Sequence, residues 1–415
     1  MDDPTHNSSR SLRKRLTLFS LILAVTSLLY SPFLLSVGMF GLVLLAAVDF
    51  APSGRPVPVP VLGQKLRHFL RRPDYWAPIL LFLPVLWTGL YSEDTNGWLR
   101  VMRIRLPFLG LPVAFFLLPR LSRKELKAVA GIFIGAAVVV AVGVLVNYAM
   151  HFETIQAKLK TGQYIPVPRH HIRFSIGIAI AFTLSVALSL DSGLPRQPRR
   201  AATGAAIFLF LFQHILAVRS GLVSLYLAIL VLALYGMTVR RFRRAAVLTL
   251  LVLVLVPPVA LRLVPSLREK VNYTIYDFKM YLRGKGQGYS DSERLTSIQI
   301  GLSLGRKHWL TGVGIGDVKQ ETGRRMKAMH YVKFLDPHNE YVFFFAGAGL
   351  PGLLFLLAGL WIPFWYRRHY RNPFFTAIQV IFFLTLMVEA GLETSAGAGY
   401  YLLSTLSWLH FFDDR

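Results

Sequence analysis

An all-α polytopic membrane protein is the fold class this sequence predicts, and three observations predict it. Of the 415 residues, 54% are hydrophobic and only 16% charged, less charge than water-soluble chains carry. Apolar runs close to the ~20 residues that cross a hydrocarbon core recur from end to end. The alternating runs of ~10 residues that build a transmembrane barrel are absent.

Taken in order, about twelve spans are expected, at residues 16–30, 32–49, 75–91, 104–118, 127–149, 172–190, 202–218, 220–238, 245–263, 339–366, 374–391 and 396–412. The basic segment MDDPTHNSSRSLRKR precedes the first, and no small-residue cleavage site follows it, so a retained span is expected and not a removed signal peptide. Ser31-Pro32 separates the first two helices. PSGRPVPVPVLG, Pro52 to Gly63, reads as a stiff linker. Residues 1–263 thus hold nine spans, 264–337 form a long, partly helical loop domain, and 338–415 hold the last three.

Charge orients these spans. Lys65–Arg72, Arg120–Lys127, Arg196–Arg200, Arg240–Arg244 and Arg367–Arg371 all fall on one side, which the positive-inside rule makes cytoplasmic together with both termini. Some of the formal net charge of +25 is this bias. The rest lies on the opposite side, where cations are not expected. In 264–337, Lys and Arg outnumber Asp and Glu by about two to one, and Arg100, Arg103, Arg105, Arg169, Arg173 and Arg219 add to them. A cationic outer vestibule over a lipid-facing bundle invites an anionic amphiphile. There is no cysteine, which excludes disulfides and thiolate metal sites.

Three outward residues carry a chemical argument. In LDPHNEYVFFFAGAG, Asp336 and Pro337 read as N-cap and first helical residue, placing His338 in the first turn of the tenth span. The helix dipole and nearby arginines disfavour imidazolium there, and a neutral imidazole is what a general base needs. The alternative is an interfacial histidine that hydrogen-bonds a headgroup. In YSDSERLTSIQIGLSL, Ser290 and Glu293 form a capping box, with Leu295, Ile298 and Leu302 as the apolar face. Arg294 then opposes the helix dipole, a conflict that a docked anion removes; the alternatives are solvent or a pair with Asp291. Arg219 occupies the tight turn between two apolar spans, where an arginine faces a cavity or partner, or snorkels to lipid phosphate.

Weaker features follow. His170 and His171 are adjacent, project differently, and read with Arg169 and Arg173 as cationic rim. TGVGIGD, Thr311 to Asp317, lacks a preceding strand and a P-loop lysine, so a tight loop packed on the active face is expected in place of a nucleotide site. Asp291 and Glu293 resemble a paired-carboxylate metal site, but the helix cap explains Glu293 more simply.

In this order, Arg219-Ser220-Gly221, Ser290 to Arg294, Gly312 to Gly316 and His338 to Tyr341 with Gly347 and Gly349 beyond resemble the bacterial O-antigen ligase and polymerase superfamily. The order and topology carry the resemblance across essentially the whole chain; no one motif does. It implies a GT-C-like membrane glycosyltransferase of the inner membrane, working without metal or other cofactor. The implied donor is a polysaccharide on undecaprenyl diphosphate and the implied acceptor lipid A–core, among membrane lipids and with no nucleic acid. His338 maps to the catalytic position, Arg219 and Arg294 to the diphosphate-binding ones. Arg103, Arg105, Arg169, His171, Arg173, Asn339, Glu340 and Tyr341 are the further residues expected to meet donor or acceptor. The very basic rim favours a strongly anionic acceptor, hence the ligase over O-antigen polymerase or a protein O-oligosaccharyltransferase. A lipid-linked-glycan transporter fits twelve spans too, but would place ionisable groups near the midplane and show repeated halves, neither of which is seen.

Overall fold

The computed structural model describes residues 4–50, 55–58, 62–331 and 335–411. The chain is almost wholly helical. It opens with α1 (Pro4–Ser27) and α2 (Pro32–Ala47), then the short helices α3 (Leu62–Leu70), α4 (Pro73–Trp76) and α5 (Leu83–Thr88). The long helices α6 (Thr95–Leu117) and α7 (Arg123–Met150) follow, with α8 (Phe152–Lys160) packed beyond them. Next come α9 (His171–Leu190), α10 (Arg196–Leu216), α11 (Arg219–Thr238) and α12 (Arg243–Leu263). Segment 264–337 supplies α13 (Pro265–Leu282), α14 (Ser290–Lys307) and α15 (Val318–Ala328). The chain returns through α16 (Glu340–Trp365), α17 (Pro373–Val388) and α18 (Ser395–Phe411).

Local sequence sets the helix starts. The side chains of Ser31, Ser122 and Asn372 cap α2, α7 and α17, with Pro32 and Pro373 just inside and Glu125 closing a capping box on Ser122. Among the described residues, five helices are long and apolar enough to cross a membrane by length and composition: α7, α9, α11, α12 and α16 with its short extension to Arg371. These are the features of an all-α membrane protein. The segment expected to span at 75–91 is not one helix. Pro73, Pro78 and Pro84 cut it into α4, a 3₁₀ turn at Ala77–Leu81, and α5, because each proline lacks the N–H that a continuing helix needs. Part of the expected linker is also ordered: Pro56–Pro58 pairs antiparallel with Val48–Phe50, while 51–54 and 59–61 lie outside the described residues.

The main core cluster runs through the bundle, with Phe108, Phe115, Phe174, Phe212, Phe343 and Phe344 fully buried, and a small second cluster joins Ala217, Ala260 and Leu267. α9 packs on α10 and α11, α11 on α17, and α16 on α14. Small residues permit the closest approach: a Cβ on Gly38 of α2 would lie 2.7 Å from the Ala24 backbone of α1. By contrast, α12 buries only Ala246 and Ala260 and turns its Val and Leu side chains outward, as a lipid-facing helix does. The five basic turns sit at one end of the helices, and α13, α14 and α15 at the other.

α16 is broken, and the break matters. Ala348 leaves helical geometry and Gly349 takes φ +65°, a left-handed value that suits glycine. The freed Ala346 and Gly347 carbonyls accept N–H groups from Val313 and Gly314 at 2.8 and 2.9 Å, and the Leu350 N–H donates to Trp309 O at 2.7 Å. Gly312 (φ +72°) sits so close that a Cβ would be 2.3 Å from Ala348 N. The glycine-rich turn is therefore laced to the backbone of α16, which fixes α14 and α15 against it.

Candidate active site

Two expected helix starts differ in the structure. α16 begins at Glu340 with Asn339 as its cap, the Asn339 Oδ1 accepting the Val342 N–H at 3.0 Å. Asp336 and Pro337 therefore precede the helix, and His338 lies just outside its first turn. Nor do Ser290 and Glu293 make a capping box: Tyr289 holds the cap position, and the Ser290 hydroxyl is buried without a partner. The cap comes from α13. The Asp277 carboxylate accepts the N–H groups of Asp291 and Ser292 at 2.8 and 3.1 Å and the Ser292 hydroxyl at 2.5 Å. A carboxylate from a neighbouring helix does what a local side chain was expected to do.

The first two turns of α14 organise the site. Asp291, Arg294 and Ser297 recur every three residues, so they share one face over about 9 Å of helix. Asp291 accepts both terminal nitrogens of Arg219, each at 2.6 Å, and Arg219 also donates to the Thr274 hydroxyl at 2.7 Å. At the other end, Ser297 Oγ accepts the His338 N–H at 3.2 Å and donates to the Arg294 carbonyl at 2.7 Å. Between them Arg294 is half-buried and has no acidic partner among the described residues. One helix face thus holds Arg219 at one end and the His338 backbone at the other, with Arg294 between them.

α9 and the end of α17 complete the cluster. Arg173 donates to Glu389 Oε1 at 2.9 Å, and His170 Nδ1 lies 3.8 Å from the same oxygen. Arg169, beside Arg173, has a buried nitrogen without a partner. The His171 ring stacks on His170 at 4.4 Å and on Tyr164 at 3.5 Å. Below Tyr164, Lys270 places its ammonium 3.6 Å from the ring and donates to Gly162 O at 2.6 Å.

Burial and these cations set the protonation states. Burial chiefly, then the fields of Arg294, His170 and Arg173, push His338 down to about 3, leaving a neutral imidazole. Its ring has no hydrogen-bond partner among the described residues, so its lone pair is free. His170 is lowered by burial as well, against the pull of Glu389. Lys270 falls to about 7, first through burial and then through Arg219. Asp336 rises to about 6 through burial and Glu393, opposed by Arg100 and Lys319.

The remaining expected residues divide. Asn339 is a helix cap whose amide also donates to Met387 O at 2.9 Å, and Tyr341 donates to Phe383 O at 3.4 Å. Glu340 and Arg105 are fully buried and joined at 3.2 Å; Glu393 pairs with the same guanidinium, and the Leu392 N–H donates to Glu340 at 2.9 Å. That triad ties α6, α16 and the turn before α18 beneath the site. Arg103 is exposed on α6, donates to Leu99 O at 3.3 Å, and is not drawn into the cluster. Lys270, Tyr164, Asp277 and Glu389 were invisible to the sequence, because each acquires its role from a partner on another helix.

Residues 204–357 match the protein-family model described as O-antigen ligase. The matched stretch runs from α10 into the broken α16 and includes Arg219, Arg294 and His338. No curated protein matches the chain.

Proposed function

We propose that this chain, which carries an O-antigen ligase domain over residues 204–357 and so stands with the O-antigen ligase superfamily, transfers polysaccharide from undecaprenyl diphosphate to a sugar hydroxyl of lipid A–core. The site then faces the periplasm and both termini the cytoplasm. The five basic turns at the opposite end of the bundle support that orientation, and about twelve spans in a GT-C-like arrangement accommodate it.

One observation carries the chemistry: a neutral His338, held through Ser297 to the turn of α14 that presents Arg294, neither side chain having a hydrogen-bond or acidic partner among the described residues. His338 takes the proton of the acceptor hydroxyl as its oxygen bonds to the anomeric carbon. The bond from that carbon to the diphosphate oxygen breaks on the far side, so the configuration inverts. Arg294, with Arg173 and Arg169 close by, meets the negative charge that collects on the leaving diphosphate. Arg219 is already paired, so it meets the donor only where diphosphate oxygens displace Asp291.

The test is direct. Purified protein is incubated with polyprenyl-diphosphate glycan and rough lipopolysaccharide, and the products are separated. Glycan-bearing lipopolysaccharide is the expected product, and a His338→Ala variant is expected to bind donor yet transfer nothing measurable. Longer lipid-linked chains with unmodified lipopolysaccharide would instead assign the superfamily's polymerase reaction.

A further inference from the structure

A second polar recess opens at the same end of the bundle. It lies between the start of α6 and the polar helix α15, with a volume of about 570 Å³. Arg100, Lys319, Arg324 and Lys327 line it together with the amides of Asn96 and Gln320. Among the described residues that line it, Asp94 is the one acid, and its Oδ1 accepts the Gly97 N–H at 2.8 Å. Arg324 pairs with Glu321 at 2.6 Å, whereas Arg100, Lys319 and Lys327 have no salt-bridge partner among the described residues.

The walls are fixed to one another. Asp317 accepts the N–H groups of Glu93 and Asp94 at 3.0 and 2.6 Å, binding the start of α15 to the start of α6. A Cβ on Gly97 would stand 2.6 Å from Gly316 O, so the two elements touch without slack. Three cations without a salt bridge among the described residues are thus gathered on rigid walls, against the single lining carboxylate of Asp94 and the field of Asp336. A bound polyanion removes that repulsion, and the amides suit sugar hydroxyls.

Position separates this recess from the first cluster. Arg100 and Lys319 act on Asp336, whereas Arg294, His170 and Arg173 act on His338. Residues 336–338 therefore run between two cationic basins. In an inverting transfer the nucleophile approaches opposite the leaving group, so acceptor and diphosphate lie on opposite faces of the anomeric carbon and their anionic groups need separate sites. We infer that the α6–α15 recess holds the phosphate groups of a phosphorylated glycolipid acceptor, leaving the diphosphate of the donor to the Arg294 basin. This rests on the transfer reaction proposed above.

Full-length protein in nanodiscs, given rough lipopolysaccharide or its chemically dephosphorylated form, tests the inference. Lys319→Gln with Lys327→Gln, and separately Arg100→Gln, are expected to raise the KM for rough lipopolysaccharide about tenfold or more, with kcat within about twofold and the donor KM unmoved. Wild-type protein with the dephosphorylated acceptor should show the same raised KM, and the substitutions should then add nothing. A raised donor KM would mean that the recess holds donor phosphate, and unchanged KM values that it holds none; either result overturns the inference. Retention of rough lipopolysaccharide by immobilised protein without donor is read in parallel. If no transfer is seen but wild type retains phosphorylated lipopolysaccharide and the variants do not, the proposed reaction fails while the recess stands.

Discussion

Arg219 and Asp291 meet as a two-pronged pair, both guanidinium nitrogens 2.6 Å from their own carboxylate oxygens, and the pair locks the start of α11 to the start of α14. The partners are 72 positions apart, and both are largely shielded from solvent. Arg219→Ala and Asp291→Ala should each lower thermal stability, and the double variant should lose less than their sum, with a coupling of about 1–2 kcal/mol. Activity should separate the two. Asp291→Asn frees the guanidinium and should leave donor KM equal or lower, while Arg219→Ala should cost about a hundredfold in kcat/KM. Equal losses in both would show that the arginine acts only by holding α14.

Arg294 has no acidic partner among the described residues, so removing it should not disturb the fold. Arg294→Ala is expected to melt within about 1 °C of wild type and to lose about a hundredfold or more in kcat. Arg294→Lys should recover part of that loss, because the charge returns without the planar fork. A large drop in melting temperature would reassign the residue to structure.

The pH dependence follows from His338. Its folded value is about 3 against an ordinary value near 6.5, so between these the unfolded chain binds a proton that the folded chain does not. His338 therefore costs stability progressively as pH falls from about 6.5 to about 3, and nothing above that window. The basic form is populated throughout pH 5–8, where Arg294, Arg173 and His170 face it. The kcat/KM profile should show no acid limb near pH 6.5. A limb there would identify an ordinary histidine as the base, and His338 would not be it.

Beneath the site, one guanidinium serves two carboxylates. Arg105 is fully buried between Glu340 and Glu393, 4.2 Å from the Phe344 ring centroid. Arg105→Ala leaves two acids without their cation and is expected to destabilise the protein by about 3–5 kcal/mol, read as thermal unfolding in detergent. A melting curve unchanged from wild type would show that the triad bears no weight in the fold.

Gly312 tests how far the laced turn positions the base. Gly312→Ala adds a Cβ at 2.3 Å from Ala348 N at a left-handed φ of +72°. The turn must lift from α16, taking α14 and Ser297 with it. Activity should fall at least about tenfold, together with a lower melting temperature.

Some of this was legible in residue order alone. Length and apolarity of a run are local properties, so the helical membrane class followed from them, and the order of short motifs resembled the O-antigen ligase superfamily, whose family model residues 204–357 match. Local rules failed where the partner came from elsewhere. Asp336-Pro337 looked like a helix start, but Asn339 caps α16; Ser290 and Glu293 looked like a capping box, but Asp277 caps α14 from another helix. Arg105 read as part of a basic rim because charge in a sequence carries no depth, and packing placed it at zero exposure.

What the amino-acid order determined, then, is an all-α chain rich in apolar helices, with a set of candidate residues for chemistry at a membrane surface. Only the tertiary structure decided which of those residues meet. A carboxylate and a guanidinium 72 positions apart, or a backbone N–H and a serine 41 apart, find each other through helix packing. That packing depends on the summed burial of the whole bundle, and no short window of sequence contains the sum.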